Sequence, residues 1–349
     1  MTEQNIDILE EYILKQYGRD VFEMLLREHA LEETDKHRLI KNRRHIFWAT
    51  DAYKEAGFCF NDQIRIESVT GIHKYLVRPR AAKTREEQEK RTRDKAEVFT
   101  PAWVCNAQNN LVDDAWFGQN NIFNTQDDTN RTWQPTEGKI PFPTATGKTW
   151  QGYVCDTRLE MACGEAPYLV SRYDATTGNA IPLNRRIGLL DRKLRVVNEN
   201  CKTLKEWYQW AFAALKSTYG FEWQGDNLLL AREAVFCSFI DYYEDFASKC
   251  HIKTAHPFHS HLLFAARIIS WNIFQMDGIK MVLPMSCIND KNGKQTDLFT
   301  HKEDCIGCKK NNIHMHNGIY QVVADWDRTK WDSKEQPIEI VEFHTMINK

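Results

Sequence analysis

A chain of 349 residues with 42% hydrophobic and 27% charged side chains and a net charge of −2 has the composition of a water-soluble globular protein. The near-neutral balance excludes a protein that coats nucleic acid by bulk charge, but it leaves room for a local basic face. No apolar run approaches the roughly 20 residues of a membrane span, the N-terminus lacks the form of a signal peptide, and ten scattered cysteines do not make a disulfide scaffold, so a cytoplasmic chain with reduced thiols and no membrane contact is expected.

Over residues 4–30, Ile6, Leu9, Ile13, Leu14, Val21, Leu25 and Leu26 recur at helical spacing, which predicts one or two amphipathic helices with Gly18 as the break. Residues 36–48 form a basic patch. Residues 64–80 alternate about Thr70-Gly71 and read as a β-hairpin. Residues 81–97 are densely charged with both signs and read as an exposed helix or a segment ordered by a partner. Phe99-Thr100-Pro101 then stops one element, and Trp103, Val104, Ala107 and Leu111 mark the apolar face of a helix after the proline. Residues 115–150, rich in Asn, Thr, Gly and Pro, read as a long loop or insertion.

Leu159-Glu160-Met161-Ala162-Cys163-Gly164 is an apolar strand that ends in an acid and a small-residue turn. Such a turn is where α/β proteins seat a cofactor, because a missing Cβ lets backbone N–H groups approach a ligand. Residues 181–200 predict a helix with Ile187, Leu190, Leu194 and Val197 on one face, and residues 203–220 another that stops at Tyr219-Gly220. A second strand end follows at Glu222-Trp223, before a leucine-rich helix; a carboxylate there can accept two ribose hydroxyls. A third follows the helix through Leu263, Ala266 and Ile269: the short strand at Asn272-Ile273-Phe274, then Asp277-Gly278. Cys305 and Cys308, with His314 and His316, are four potential zinc ligands. Residues 318–327 and 337–343 read as strands.

In this order the three strand ends resemble the gamma-class S-adenosylmethionine-dependent DNA amino-methyltransferases of restriction–modification systems. The family's Phe-Thr-Pro element is matched by Phe99-Thr100-Pro101. Its glycine-rich cofactor loop is matched over Glu160–Leu169, its second strand end at Tyr219-Gly220-Phe221-Glu222 with Ala231-Arg232, and its third at Asn272, Ile273 and Asp277. The resemblance covers roughly residues 90–345. It implies a Rossmann-like α/β methyltransferase domain over 94–349, preceded by a helical and hairpin region over 1–93. It also implies S-adenosylmethionine held by Phe99, Thr100, Pro101, Glu160, Ala162, Cys163, Gly164, Glu222, Trp223, Asp277 and Gly278. The acceptor would be the adenine N6 amine of DNA, and the chain a modification subunit working with a specificity or second catalytic subunit.

Two features depart from the family. Ala166 replaces the second glycine of the loop, and no Asn/Asp-Pro-Pro-aromatic tetrapeptide occurs, although that element orients the flipped adenine in the family. Asp325 and Trp326 are the nearest substitutes: one to accept from an amine, the other to stack. The alternative is a non-catalytic methyltransferase-like module that binds DNA or a partner. A third reading is a different modification of a base or protein on the same fold, with Asp325 positioning the acceptor.

Overall fold

The computed structural model describes residues 9–31, 45–95, 97–143, 147–252, 256–287, 305–332 and 335–347. The chain opens with α1 (Leu9–Tyr17) and α2 (Arg19–Leu25), separated at Gly18, whose φ of 98° a residue with a Cβ rarely adopts. Ile13, Val21, Phe22 and Leu25 are fully buried, on the face their spacing predicts. The basic patch expected over 36–48 lies outside the described residues up to position 44; beyond it, Ile46 and Trp48 are core.

Residues 64–80 do not form a hairpin. Ile66–Val69 makes a single helical turn, α3, and Gly71–His73 a 3-10 turn. Ile64, Ile66 and Val69 are buried at spacings of two and three, and a helical turn satisfies that pattern as well as a strand does. The charged helix expected nearby is α4 (Arg85–Lys95), mostly exposed but with Arg91 buried.

Pro101 caps α5 (Ala102–Phe117), where the burial inverts the expectation. Asn106, Asn109 and Asp113 face inward, while Leu111 and Val112 are exposed. The reason is the fully buried Arg192, which donates to Asp113 (2.6 Å), Asn106 (2.9 Å) and Asn110 (2.8 Å). Asn109 donates to the carbonyls of Tyr168 and Ile187. A helix face that satisfies buried polar groups outranks one that is merely apolar. The expected loop over 115–150 contains an antiparallel hairpin, β1 (Asn124–Asp127) with β2 (Thr132–Pro135), and ends where the short helix α6 (Trp150–Cys155) begins.

The centre is a parallel sheet of β3 (Arg158–Met161), β4 (Thr218–Glu222) and β5 (Ile273–Gln275), in the order β3-β4-β5. Parallel neighbours need crossovers, and helices supply them. The first runs through α7 (Leu189–Asn200) and α8 (Leu204–Lys216), the second through α9 (Gly225–Lys249) and α10 (His259–Asn272). The fold is therefore α/β. Tyr219-Gly220, expected to stop a helix, lies inside β4. The helix ends earlier because the Ser217 and Thr218 hydroxyls donate back to Ala214 O.

Helix α9 is buried at every position from Gly225 to Ile240, as befits the helix around which others pack. The chain closes with α11 (Ile306–Lys310) and an antiparallel pair, β6 (Val322–Asp325) with β7 (Glu339–Glu342). One apolar cluster runs from Ile13 through Trp207 and Phe239 to Trp326, so the N-terminal helices share the core of the sheet region. Among the described residues β3 pairs with no strand other than β4, and Leu159 and Met161 are exposed beside it. No described helix is long and apolar enough to cross a membrane.

Candidate functional site

A cleft of about 1050 Å³ opens at the carboxyl ends of β3, β4 and β5. Crevices there are the usual ligand sites of parallel sheets, because loops diverge to the two faces and leave backbone N–H groups unpaired. Of the eleven residues expected to hold a cofactor, ten line this cleft: Phe99, Thr100, Glu160, Ala162, Cys163, Gly164, Glu222, Trp223, Asp277 and Gly278. Pro101 instead caps α5 behind them.

The loop after β3 is held in an unusual backbone. Ala162, Gly164 and Ala166 all have left-handed φ values, of 51°, 54° and 61°. Two of these carry a Cβ, which costs energy that surrounding bonds must offset. Those bonds come from the strand-end acids. Glu160 accepts from Tyr168 N (3.4 Å) and Leu169 N (3.2 Å), and Glu222 accepts from Gly164 N (2.9 Å) and Gln224 N (3.1 Å). Cys163 N donates to Phe221 O and fixes the loop to β4. Gly164 is packed under Phe99, whose ring atoms would lie 3.4 Å from an added Cβ.

Burial raises the carboxyl groups of Glu160 and Glu222 above their ordinary range, against the backbone N–H donors that lower them. Neighbouring charge adds to this: Glu222 raises Glu160, and Asp226 raises Glu222. A cleft with acids held high favours a ligand that brings hydrogen-bond donors or positive charge. Asp277 is committed to its own turn, accepting from Ile279 N and Lys280 N. Gly278 is required there, since a Cβ would stand 2.6 Å from the Phe221 ring. Trp223 is half-buried, with its indole N–H on Ala49 O.

Sequence reasoning missed a second wall. Glu97, Gln224 and Asn227 line the cleft; Arg91 reaches Glu97 (2.6 Å), Asp226 (2.8 Å) and Gln224 (3.3 Å), and Asn227 donates to Glu97 Oε2 (3.3 Å). Burial would raise Asp226, but Arg91 and Lys83 overcome it, and the Tyr53 hydroxyl donates to it at 2.6 Å. Among the described residues Glu97 Oε1 and Asn227 Oδ1 are buried acceptors with no hydrogen-bond partner. The signal available was the acid of Glu97 two residues before Phe99; nothing in spacing marks Asn227.

Asp325 and Trp326 do not reach the cleft. Trp326 is 2% exposed and donates to Asn272 Oδ1 at 3.0 Å, just before β5 begins. Lys216, which precedes β4, donates to Asp327 O, and Arg328 donates to Cys155 O and Thr157, which precede β3. These residues stand at the amino ends of the strands, opposite the cleft. The cause is direction: β6 starts beside Val282, past the end of β5, and runs back along it.

The expected metal ligands are brought together in part. Cys305, Cys308 and His316 converge, but the fourth member of the cluster is Cys287 and not His314, and the four ligand atoms lie within 4.8 Å of one another. His314 turns to the His344 ring, 5.4 Å between centroids. A lone cysteine 18 positions before Cys305 carries no spacing signal, so tertiary structure alone selects it. Compared with protein-family models, with curated proteins and with solved structures, the chain matches none.

Proposed function

We propose that the cleft binds S-adenosylmethionine and that the chain is the cofactor-binding subunit of a DNA adenine-N6 methyltransferase. The observation that carries this reading is the convergence of ten expected residues, from three strand ends and the Phe99 segment, on one cavity. Its volume, about 1050 Å³, is at the top of the roughly 300–1,000 Å³ range of small-molecule and cofactor sites, enough for a whole cofactor. Each Glu222 oxygen accepts one backbone N–H and keeps a second lone pair for a ribose hydroxyl. Among the described residues Glu97 Oε1, 3.7 Å from Arg80, and Asn227 Oδ1 are buried acceptors behind the cleft wall that make no hydrogen bond. When bound, S-adenosylmethionine supplies an electrophilic methyl group; the chain's own residues orient it, Phe99 covering Gly164 and Glu222 holding the ribose. Methyl transfer also needs an amine aimed at that methyl, which is a matter of positioning.

A second reading, a non-catalytic methyltransferase-like module, is favoured by one observation: Asp325 and Trp326 point away from the cleft and no Pro-Pro element replaces them. The two readings agree on the cofactor and differ on where the acceptor-positioning groups come from. In the first, a partner subunit adds them; among the described residues β3 has no strand on its outer edge, the kind of edge to which a partner's strand can add. Calorimetry with S-adenosylmethionine should show binding that Glu222→Ala weakens at least tenfold, about 1.4 kcal/mol. Equal affinity in the variant would remove Glu222 from the site. Transfer of a labelled methyl group to DNA by the lone chain would exclude the module reading.

A further inference from the structure

We propose that Cys287, Cys305, Cys308 and His316 hold one structural zinc ion, which pins the turn carrying Asp277 and Gly278 against the C-terminal segment. Three thiol sulfurs approach a single ring nitrogen: Cys287, Cys305 and Cys308 lie 3.4, 3.4 and 3.6 Å from His316 Nδ1. A ring nitrogen carries one hydrogen or one lone pair, so hydrogen bonding cannot account for three sulfurs around it. A tetrahedral ion can. With zinc–sulfur and zinc–nitrogen bonds of about 2.3 and 2.1 Å, the sulfur-to-nitrogen edge of the tetrahedron is roughly 3.6 Å. Three thiolates and one imidazole, with no position left for water, make a closed structural site rather than a catalytic one.

The surrounding backbone is shaped for this packing. A Cβ on Gly307, between Cys305 and Cys308, would fall 2.6 Å from His316 N and 2.7 Å from His316 Nδ1. A Cβ on Gly318 would fall 2.6 Å from Ser286 Oγ and 3.0 Å from Cys287 Sγ. Glycine is therefore what lets the two segments meet. Asn317 N donates to Cys305 Sγ at 3.3 Å, an outer contact that favours the thiolate, and His316 N donates to the Tyr320 hydroxyl at 2.7 Å. No cysteine of the chain is in a disulfide.

The cluster is coupled to the cleft through a short chain of backbone bonds. Leu283 N donates to Ile319 O, Gln321 N to Met281 O, and Asp277 N to Val282 O. Asp277–Lys280 thus rests on residues 281–283, which pair antiparallel with 319–321, and the ion would clamp the two segments together at one end of that ladder, through Cys287 and His316.

Elemental analysis of the full-length chain, dialysed against metal-free buffer, tests the site. One zinc per chain is expected; Cys287→Ser and Cys308→Ser should lose it, while His314→Ala keeps it. Should the cysteine variants fail to fold, the wild-type chain still decides: a mercurial thiol reagent should release one zinc, and hydrogen exchange over 277–283 should quicken on release. A chain that holds no zinc after reconstitution, holds iron in its place, or loses zinc in His314→Ala overturns the proposal. None of these readouts depends on S-adenosylmethionine binding.

Discussion

Glu10 and Glu233 are buried carboxyl groups outside the cleft, and their cost depends on pH. Among the described residues neither oxygen of Glu233 has a hydrogen-bond partner, nor does Glu10 Oε1. Burial raises both above the ordinary 4.5, and the charge of Glu10 raises Glu233 further. A carboxyl raised in the folded state contributes stability that is full below its unfolded pKa and is lost as pH rises through the folded value. The urea midpoint should therefore fall as pH rises from about 5 towards neutrality, and Glu233→Gln should flatten the slope by up to about 1.4 kcal/mol per pH unit, one proton's worth. Parallel wild-type and variant curves would rule this out. The strand-end acids Glu160, Glu222 and Asp277 were legible in the sequence because an acid that closes a short apolar run ahead of a turn is a local pattern. Asn227 and Cys287 were not, since each is placed by residues far away in the chain.

At the scale of elements, helix α9 is fixed by one side chain. Arg232 is fully buried and donates to Ile273 O (2.7 Å), Ser270 O (2.9 Å), Leu25 O (2.6 Å) and Arg27 O (2.8 Å). Its planar fork thereby ties β5, α10 and the segment after α2 to one point, and Glu28 balances its charge. Arg232→Leu should destabilise by about 3–5 kcal/mol, because four buried carbonyls and Glu28 lose their partner. Arg232→Lys should recover only part, since an ammonium cannot span that fork. Denaturant unfolding measures both, and a Lys variant as stable as wild type would count against the geometry. Strongly periodic elements such as α8 and α10 were readable within a few residues, whereas the helix expected over 181–200 begins only at Leu189, after a 3-10 turn at Leu183–Arg185. The face of α5 was not, because Arg192, 79 positions from its partner Asp113, decides which side is buried.

At the scale of the molecule, the N-terminal helices belong to the same core as the sheet. Helix α2 packs on α10, and the His29 ring stacks on Trp271 at 3.8 Å. Arg91, Tyr53 and Arg80, all from the first hundred residues, brace Asp226, Glu97 and Glu165 around the cleft. Deleting residues 1–93 should therefore leave a chain without a cooperative unfolding transition, because fully buried Ile13, Val21, Phe22, Leu25, Ile46 and Trp48 would leave holes in its core. A sharp transition in the truncated chain, followed by circular dichroism in urea, would show instead that 94–349 folds alone.

The sequence by itself determined which residues end the three strands, that helices connect them and that small residues turn the loop after Glu160. Those features depend on local periodicity and on the Cβ of neighbouring positions. Only the tertiary structure decided that β6 runs back along β5 and carries Asp325 and Trp326 to the far end of the sheet. The same holds for Cys287 joining Cys305, Cys308 and His316, and for the N-terminal region walling the cleft. Strand direction and long-range packing depend on contacts between residues far apart in the chain, which no local pattern encodes.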